Sequence, residues 1–136
     1  MRTLIVEDDR TNQILLQSFL SKYGECKVAA NGKLALAAFS AAHNSGRGYD
    51  LICMDIMMPE MDGQAAIKEI RLLEEAAGKS STDGVKIIMT TAAADTENVM
   101  QSFSSSCDAY LFKPIDTRKL LGHLRDFHLI QEVRRS

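Results

Sequence analysis

The chain has no surplus of either charge, no long hydrophobic run and no paired cysteines. Its 136 residues carry 16 Lys and Arg against 18 Asp and Glu, a net charge of −2. Nothing in that balance draws it to nucleic acid or to an anionic membrane. Arg134-Arg135 is too short for a local basic patch and reads as solvated terminal charge. No apolar stretch approaches the length of a bilayer-spanning helix, so no membrane insertion is expected. The chain enters a strand-like run straight after Met1-Arg2-Thr3, which leaves no space for a charged and then apolar leader. Cys26, Cys53 and Cys107 show no short paired spacing for zinc or a redox couple, and a reduced, cytoplasmic setting is the expectation. His43, His123 and His128 lack acidic or cysteine partners at ligand spacing, and His123 and His128 do not share a helical face.

What is there is an ordinary globular composition, 46% hydrophobic and 25% charged, enough for the core of one domain. Strand-like and helix-like segments alternate throughout. Leu4-Ile5-Val6 is followed by Leu16, Phe19, Leu20 and Tyr23 at helical spacing, which Gly24 can close. A short strand over Cys26 to Ala30 leads to an Asn31-Gly32 turn and a helix on Ala35, Ala38, Phe39 and Ala42, up to the Gly46-Arg47-Gly48 loop. The run from Asp50 to Ile56 is nearly all apolar, as in a strand buried on both faces. After a loop between Pro59 and Gly63, Ala66, Ile70, Leu73 and Ala77 mark a third helix, and Gly78 to Gly84 is the most loop-like stretch. A strand over Val85 to Thr91 precedes a fourth helix on Val99, Met100, Phe103 and Cys107, weakened by Ser104-Ser105-Ser106. Ala109 to Phe112 is the fifth strand, and Asp116 or Thr117 can cap a fifth helix carrying Leu120, Leu121, Leu124 and Phe127. This strict alternation predicts an α/β fold, a doubly wound sheet of five parallel strands.

Four of those apolar runs end in chemically marked residues: Glu7-Asp8-Asp9, Asp55, Thr91 and Lys113-Pro114. Each alone has a plain explanation. Acids before a helix cap its amides, a threonine is at home in a strand, and Lys-Pro can be a simple turn. Asp55 is sharper, because a carboxylate ending an apolar strand must meet a cation or donors to offset its desolvation. Together they carry weight, since parallel strands bring their carboxyl ends to one edge, where open α/β sheets place their sites. Carboxylates, a hydroxyl and an ammonium gathered there would hold a hard divalent cation and a phosphoryl group, with one aspartate as nucleophile.

In this order and spacing, Leu4-Ile5-Val6-Glu7-Asp8-Asp9, Met54-Asp55-Ile56-Met57-Met58-Pro59-Glu60-Met61-Asp62-Gly63, Thr91-Ala92 and Lys113-Pro114 resemble the receiver domain of two-component response regulators. The likeness runs from about residue 3 to about residue 127, implying one flavodoxin-like (βα)5 domain over 1–136 with a helical extension over about 128–136. It implies that Asp55 is the phosphoacceptor, taking a phosphoryl group from a histidine on a sensor kinase or a histidine phosphotransfer protein. It further implies Mg2+, or Mn2+ in its place, held by Asp8, Asp55 and the Met57 backbone carbonyl, and by Glu7 through water. Three consecutive acids also allow the pair to be read one residue later, onto Asp9, whose place beyond the apolar run favours a bystander role. By the same resemblance Thr91 bonds the phosphoryl oxygen, Lys113 pairs with it and Tyr110 changes rotamer on activation. The readout face would be the fourth helix, fifth strand and fifth helix, binding a downstream protein target, and the family also admits homodimers through that face. Apolar residues at Met57 and Ala93 imply slow autodephosphorylation, and the Asn12-Gln13 pair and the long connection before the fourth strand look like receivers of hybrid kinases and phosphorelays.

Two other classes compete with this reading. A magnesium-dependent phosphohydrolase with an aspartyl nucleophile generally wants a second acid two residues on, where this chain has Met57. An interaction module that has lost phosphorylation usually lacks Asp55, the acidic pair or Lys113, and all are present. His128 to Ser136 is too short for a DNA-binding unit, so the chain is expected to be either a single-domain regulator or a receiver from a larger protein.

Overall fold

The computed structural model describes residues 1–55, 63–79, 84–92 and 107–130. The strands are β1 (Thr3–Val6), β2 (Cys26–Ala29), β3 (Leu51–Asp55), β4 (Lys86–Ala92) and β5 (Ala109–Lys113). The helices are α1 (Arg10–Leu20), continued by a 3-10 turn over Ser21–Tyr23, α2 (Gly32–Asn44), α3 (Gly63–Ala76) and a C-terminal helix (Thr117–Asp126). All strand pairs are parallel and the sheet order is β2-β1-β3-β4-β5. The expected fourth helix, together with Met57 and Ala93, falls outside the described residues.

Side chains alternate across the sheet and bury two apolar layers. Leu4, Val6, Ile52, Met54, Ile87 and Met89 pack with Phe39 of α2 and Ile67 and Ile70 of α3. Ile5, Leu51, Cys53, Ile88 and Leu111 pack on the other side with Leu16 and Leu20 of α1 and Leu120 and Leu124 of the C-terminal helix. Helices thus cover both faces, as the doubly wound reading requires. β3 is buried along its whole length, and burial pushes the Cys53 thiol up to about 12, so it acts as a small apolar residue.

Short polar side chains fix where the helices begin. Asp9 is extended (φ −86°, ψ 122°) and accepts from the Asn12 N–H at 3.3 Å, capping α1. Asn31 caps α2 by accepting from the Leu34 N–H at 2.8 Å, so Asn31-Gly32, expected as a turn, is a helix start with Gly32 inside α2. Asp116, rather than Thr117, caps the C-terminal helix through the Arg118 N–H at 2.9 Å. Gly24 does close the first helical segment, at φ 151°, where a Cβ would collide with the Met1 carbonyl.

The C-terminal helix ends without a glycine. The Leu129 N–H donates to the Leu124 carbonyl (3.0 Å) and the His128 N–H to the Arg125 carbonyl (3.0 Å), a Schellman arrangement that places His128 at φ 59°. Leu129 returns onto the α1-side core that holds Leu124. Replacing His128 with glycine removes the left-handed penalty while keeping both bonds, and is expected to raise stability by about 0.5–1 kcal/mol, read as a higher melting temperature.

Candidate functional site

Asp55 and Lys113 are the last residues of β3 and β5, and Glu7 prolongs β1 through its N–H bond to the Ala29 carbonyl (3.1 Å). Lys113, ending an apolar strand at the sheet edge, sends its ammonium back over β4. Its Nζ lies 3.0 Å from Asp55 Oδ2, 3.2 Å from Glu7 Oε1 and 3.1 Å from Glu7 Oε2. The Lys113 side chain is 23% exposed, against 1% for Glu7 and 7% for Asp55, so these attractions act in a poorly screened setting. The strand was expected to stop at Phe112; it includes Lys113, whose backbone pairs in register with Ala92.

Burial raises the Glu7 pKa, the Asp55 charge raises it further, and the Lys113 ammonium offsets part of the rise. Burial works to lower the Lys113 pKa, but the Asp55 and Glu7 carboxylates outweigh it and the net shift is upward. Glu7, Asp8 and Asp55 each offer a carboxylate oxygen within 4.8 Å of the others, with Asp8 exposed to solvent. One ammonium therefore meets two members of a three-acid cluster. Glu7 Oε1 also accepts from the Asp9 N–H at 3.2 Å, whereas Oε2, although buried and close to Nζ, accepts no well-directed hydrogen bond among the described residues. Hard oxygen donors, excess negative charge and an unsatisfied buried carboxylate oxygen fit a small divalent cation.

Thr91 is buried at the end of β4, one residue beyond Thr90, the register partner of Asp55. Thr90 was not singled out from sequence, and among the described residues its buried Oγ1 has no hydrogen-bond partner. Counting back from Asp55 along a parallel register would have marked it. Tyr110 packs against the α2–α3 side of the core. Gln13 of α1 donates from Nε2 to the Glu7 carbonyl at 2.6 Å, tying the helix to the acidic turn. Asp9 does not belong to the acid cluster; it serves as the helix cap. A cavity of about 340 Å³ runs beside the site along β5, between Tyr110, Phe112, Lys113 and Lys119. Met57, whose carbonyl was expected as a ligand, lies outside the described residues.

A parallel five-stranded sheet whose carboxyl edge gathers a strand-ending aspartate, two neighbouring acids and a lysine defines the receiver class of signalling domains. The family model for the response regulator receiver domain matches residues 3–125, and the chain belongs to that family. It is 36% identical over 119 residues to the sensor protein GacS of Pseudomonas syringae pv. syringae, covering 88% of this chain and 12% of that protein. It is 32% identical to a probable histidine kinase 4 of rice, covering 91% of this chain and 13% of the kinase, so it spans about an eighth of these relatives. Among solved structures, the complex of the Saccharomyces cerevisiae histidine phosphotransfer protein Ypd1 with the receiver domain of Ssk1 matches with a TM-score of 0.80 and 31% identity, covering 98% of this chain and 92% of that one. A Vibrio cholerae CheY4 structure, at 24% identity and a TM-score of 0.75, matches in fold over 93% of this chain and 97% of that one. The chain is a receiver module of two-component and phosphorelay signalling. Among the described residues no helix is long and apolar enough to cross a membrane.

Proposed function

We propose that Asp55 accepts a phosphoryl group from a phosphohistidine and that the resulting acyl phosphate changes the affinity of the face around β5 for a downstream protein. The carrying observation is the Lys113 ammonium, held between Asp55 and Glu7 at the rim of a three-acid cluster. A carboxylate oxygen of Asp55 forms the new O–P bond as the P–N bond of the donor breaks, and the leaving imidazole nitrogen keeps the electron pair and gains a proton. Glu7, Asp8 and Asp55 would hold magnesium, which supplies charge neutralisation for the phosphoryl oxygens. Lys113 contributes a second positive charge on the side of β5. Thr91, at the end of β4, supplies the hydroxyl that draws toward the added anion and shifts the strand end, a local electrostatic event that biases a two-state element.

The donor proposed is a sensor histidine kinase or a histidine phosphotransfer protein, the partner type seen with Ssk1 in the yeast complex. Ile14 and Leu15 of α1, 51% and 40% exposed directly after the acidic turn, offer apolar surface for such a partner. The domain acts as a phosphoacceptor without turnover of small phosphoesters and loses its label slowly when unaided. Incubation with Mg2+ and a small acyl phosphate is expected to add a single phosphoryl group by intact mass, located by peptide mapping on the segment containing Asp55. A label mapping to any other segment overturns the reading.

Asp8 is the exposed member of the acid cluster, so its change perturbs folding least. Asp8→Asn is expected to weaken Mg2+ binding by about 10-fold or more, measured by calorimetric titration, with the melting temperature in chelator nearly unchanged.

A further inference from the structure

Gln13 stands where the packing of α1 calls for an apolar side chain. It lies three residues before Leu16 and seven before Leu20, both buried on the core, and so heads the stripe of the helix that faces the sheet. Its neighbours Ile14 and Leu15 are apolar and 51% and 40% exposed. At this turn the usual pattern is inverted, with the polar group inward and the apolar groups outward.

What the inward carboxamide meets is the acidic turn. β1 ends at Val6, which pairs in register with Ala29 and Met54, so the Glu7 carbonyl lies beyond the last register pair. Gln13 Nε2 donates to that carbonyl at 2.6 Å. The backbone N–H of the same residue donates to the Asp9 carbonyl at 3.0 Å. One residue thus grips the chain on both sides of Asp8. Chemistry fixes which way the carboxamide points, since its oxygen at that distance would repel the carbonyl oxygen. Asp8 is the exposed member of the acid cluster, where packing cannot aim its carboxylate, and the clamped backbone on either side sets the direction in which the side chain leaves. The helix does not need the side-chain bond in order to form. Asp9 caps it through the Asn12 N–H, and Leu16 and Leu20 seat it on the core.

We infer that Gln13 is a positioning residue for the cation site: its two hydrogen bonds, one from the side chain and one from the backbone, hold the acidic turn in the shape that brings carboxylate oxygens of Glu7, Asp8 and Asp55 together. This rests on the reading of those three acids as the cation-holding group. Gln13 acts through the backbone of the turn and not as a ligand.

Mg2+ itself is the probe. Calorimetric titrations of the full chain are run well below the melting temperature of each variant, so that lost stability alone leaves the affinity of the folded protein unchanged. Gln13→Met keeps the length of the side chain without a donor and is expected to weaken Mg2+ binding by about 10-fold. Gln13→Glu keeps the shape and, ionised, replaces the donor with an acceptor. Its added negative charge alone would tighten Mg2+ binding, so weaker binding in this variant reads out the lost donor. Amide spectra recorded in chelator locate the change, and shifts concentrated at residues 7–9 are expected in both variants. Parent-like or tighter Mg2+ binding in folded Gln13→Met or Gln13→Glu overturns the proposal. Shifts that extend through Leu16 and Leu20 overturn it too, because they mark a displaced helix and a merely structural role. Should one variant fail to fold, the other decides by the same criteria. A parent that binds no Mg2+ overturns the cation reading of the acids and this inference with it, whereas a parent that binds, with variants that match it, overturns the positioning role alone.

Discussion

Alanine in place of Asp55 is expected to lower phosphoryl incorporation from a small acyl phosphate by about 1000-fold or more, with the fold intact. Both halves follow from the same contacts. Asp55 is the carboxylate that ends a fully buried strand and meets the Lys113 ammonium at 3.0 Å, so its loss would remove the proposed nucleophile. Glu7 is more deeply buried and is already bonded to Lys113 and to the Asp9 N–H. Removing Asp55 also relieves Glu7 of a like charge, one of the causes that raise its pKa. Lys113 keeps Glu7 as partner, so no buried charge is stranded and the variant should melt close to the parent. Intact-mass measurement with a parallel thermal melt checks both halves; labelling at the parental level in a folded Asp55→Ala protein would place the chemistry elsewhere.

The opposite change at the same cluster is expected to cost stability. Lys113→Met leaves Glu7 and Asp55 facing each other across the rim without their shared cation. Breaking a fully buried pair typically costs about 3–5 kcal/mol. Because the Lys113 side chain is 23% exposed, the expected loss in chelator is about 2–3 kcal/mol, discounted for solvent screening. Saturating Mg2+ should restore most of it, since a ligand at 100 times its dissociation constant stabilises by about 2.7 kcal/mol. Denaturant melts with EDTA and with Mg2+ separate the outcomes. A Lys113→Met protein whose own melt is unmoved by Mg2+ would show that the methionine disrupts packing and that the acids do not share a cation.

Much of this was legible because the relevant signals are short-range. β3 and β4 are apolar runs buried on both faces, and their carboxyl ends follow wherever the runs stop. What escaped the sequence was decided by three-dimensional partners. Glu74 falls on the buried stripe of α3 four residues after Ile70, where an acid reads as solvated; only the Val85 N–H and Arg71, brought up by folding, make its burial affordable. Asp9 looked like a possible member of the acidic pair, and the extended backbone at that residue turns it into a cap instead. The end of the C-terminal helix was hidden for another reason: its left-handed residue is a histidine where a glycine would have announced the stop. Thr90 was overlooked because its neighbour Thr91 fitted the motif, and the parallel register that sets Thr90 opposite Asp55 is a pairing between distant segments.

Strand order has one more consequence. β5 forms the margin of the sheet, laddered to β4 alone, yet its final lysine reaches over β4 to acids rooted in β3 and β1. That side chain works as a guy-rope: it moors a marginal strand to more deeply seated ones. An incoming anion that captures the ammonium would slacken the mooring at the strand that also carries Tyr110 and Phe112, so a strand with a single sheet neighbour would be the one whose restraint is released.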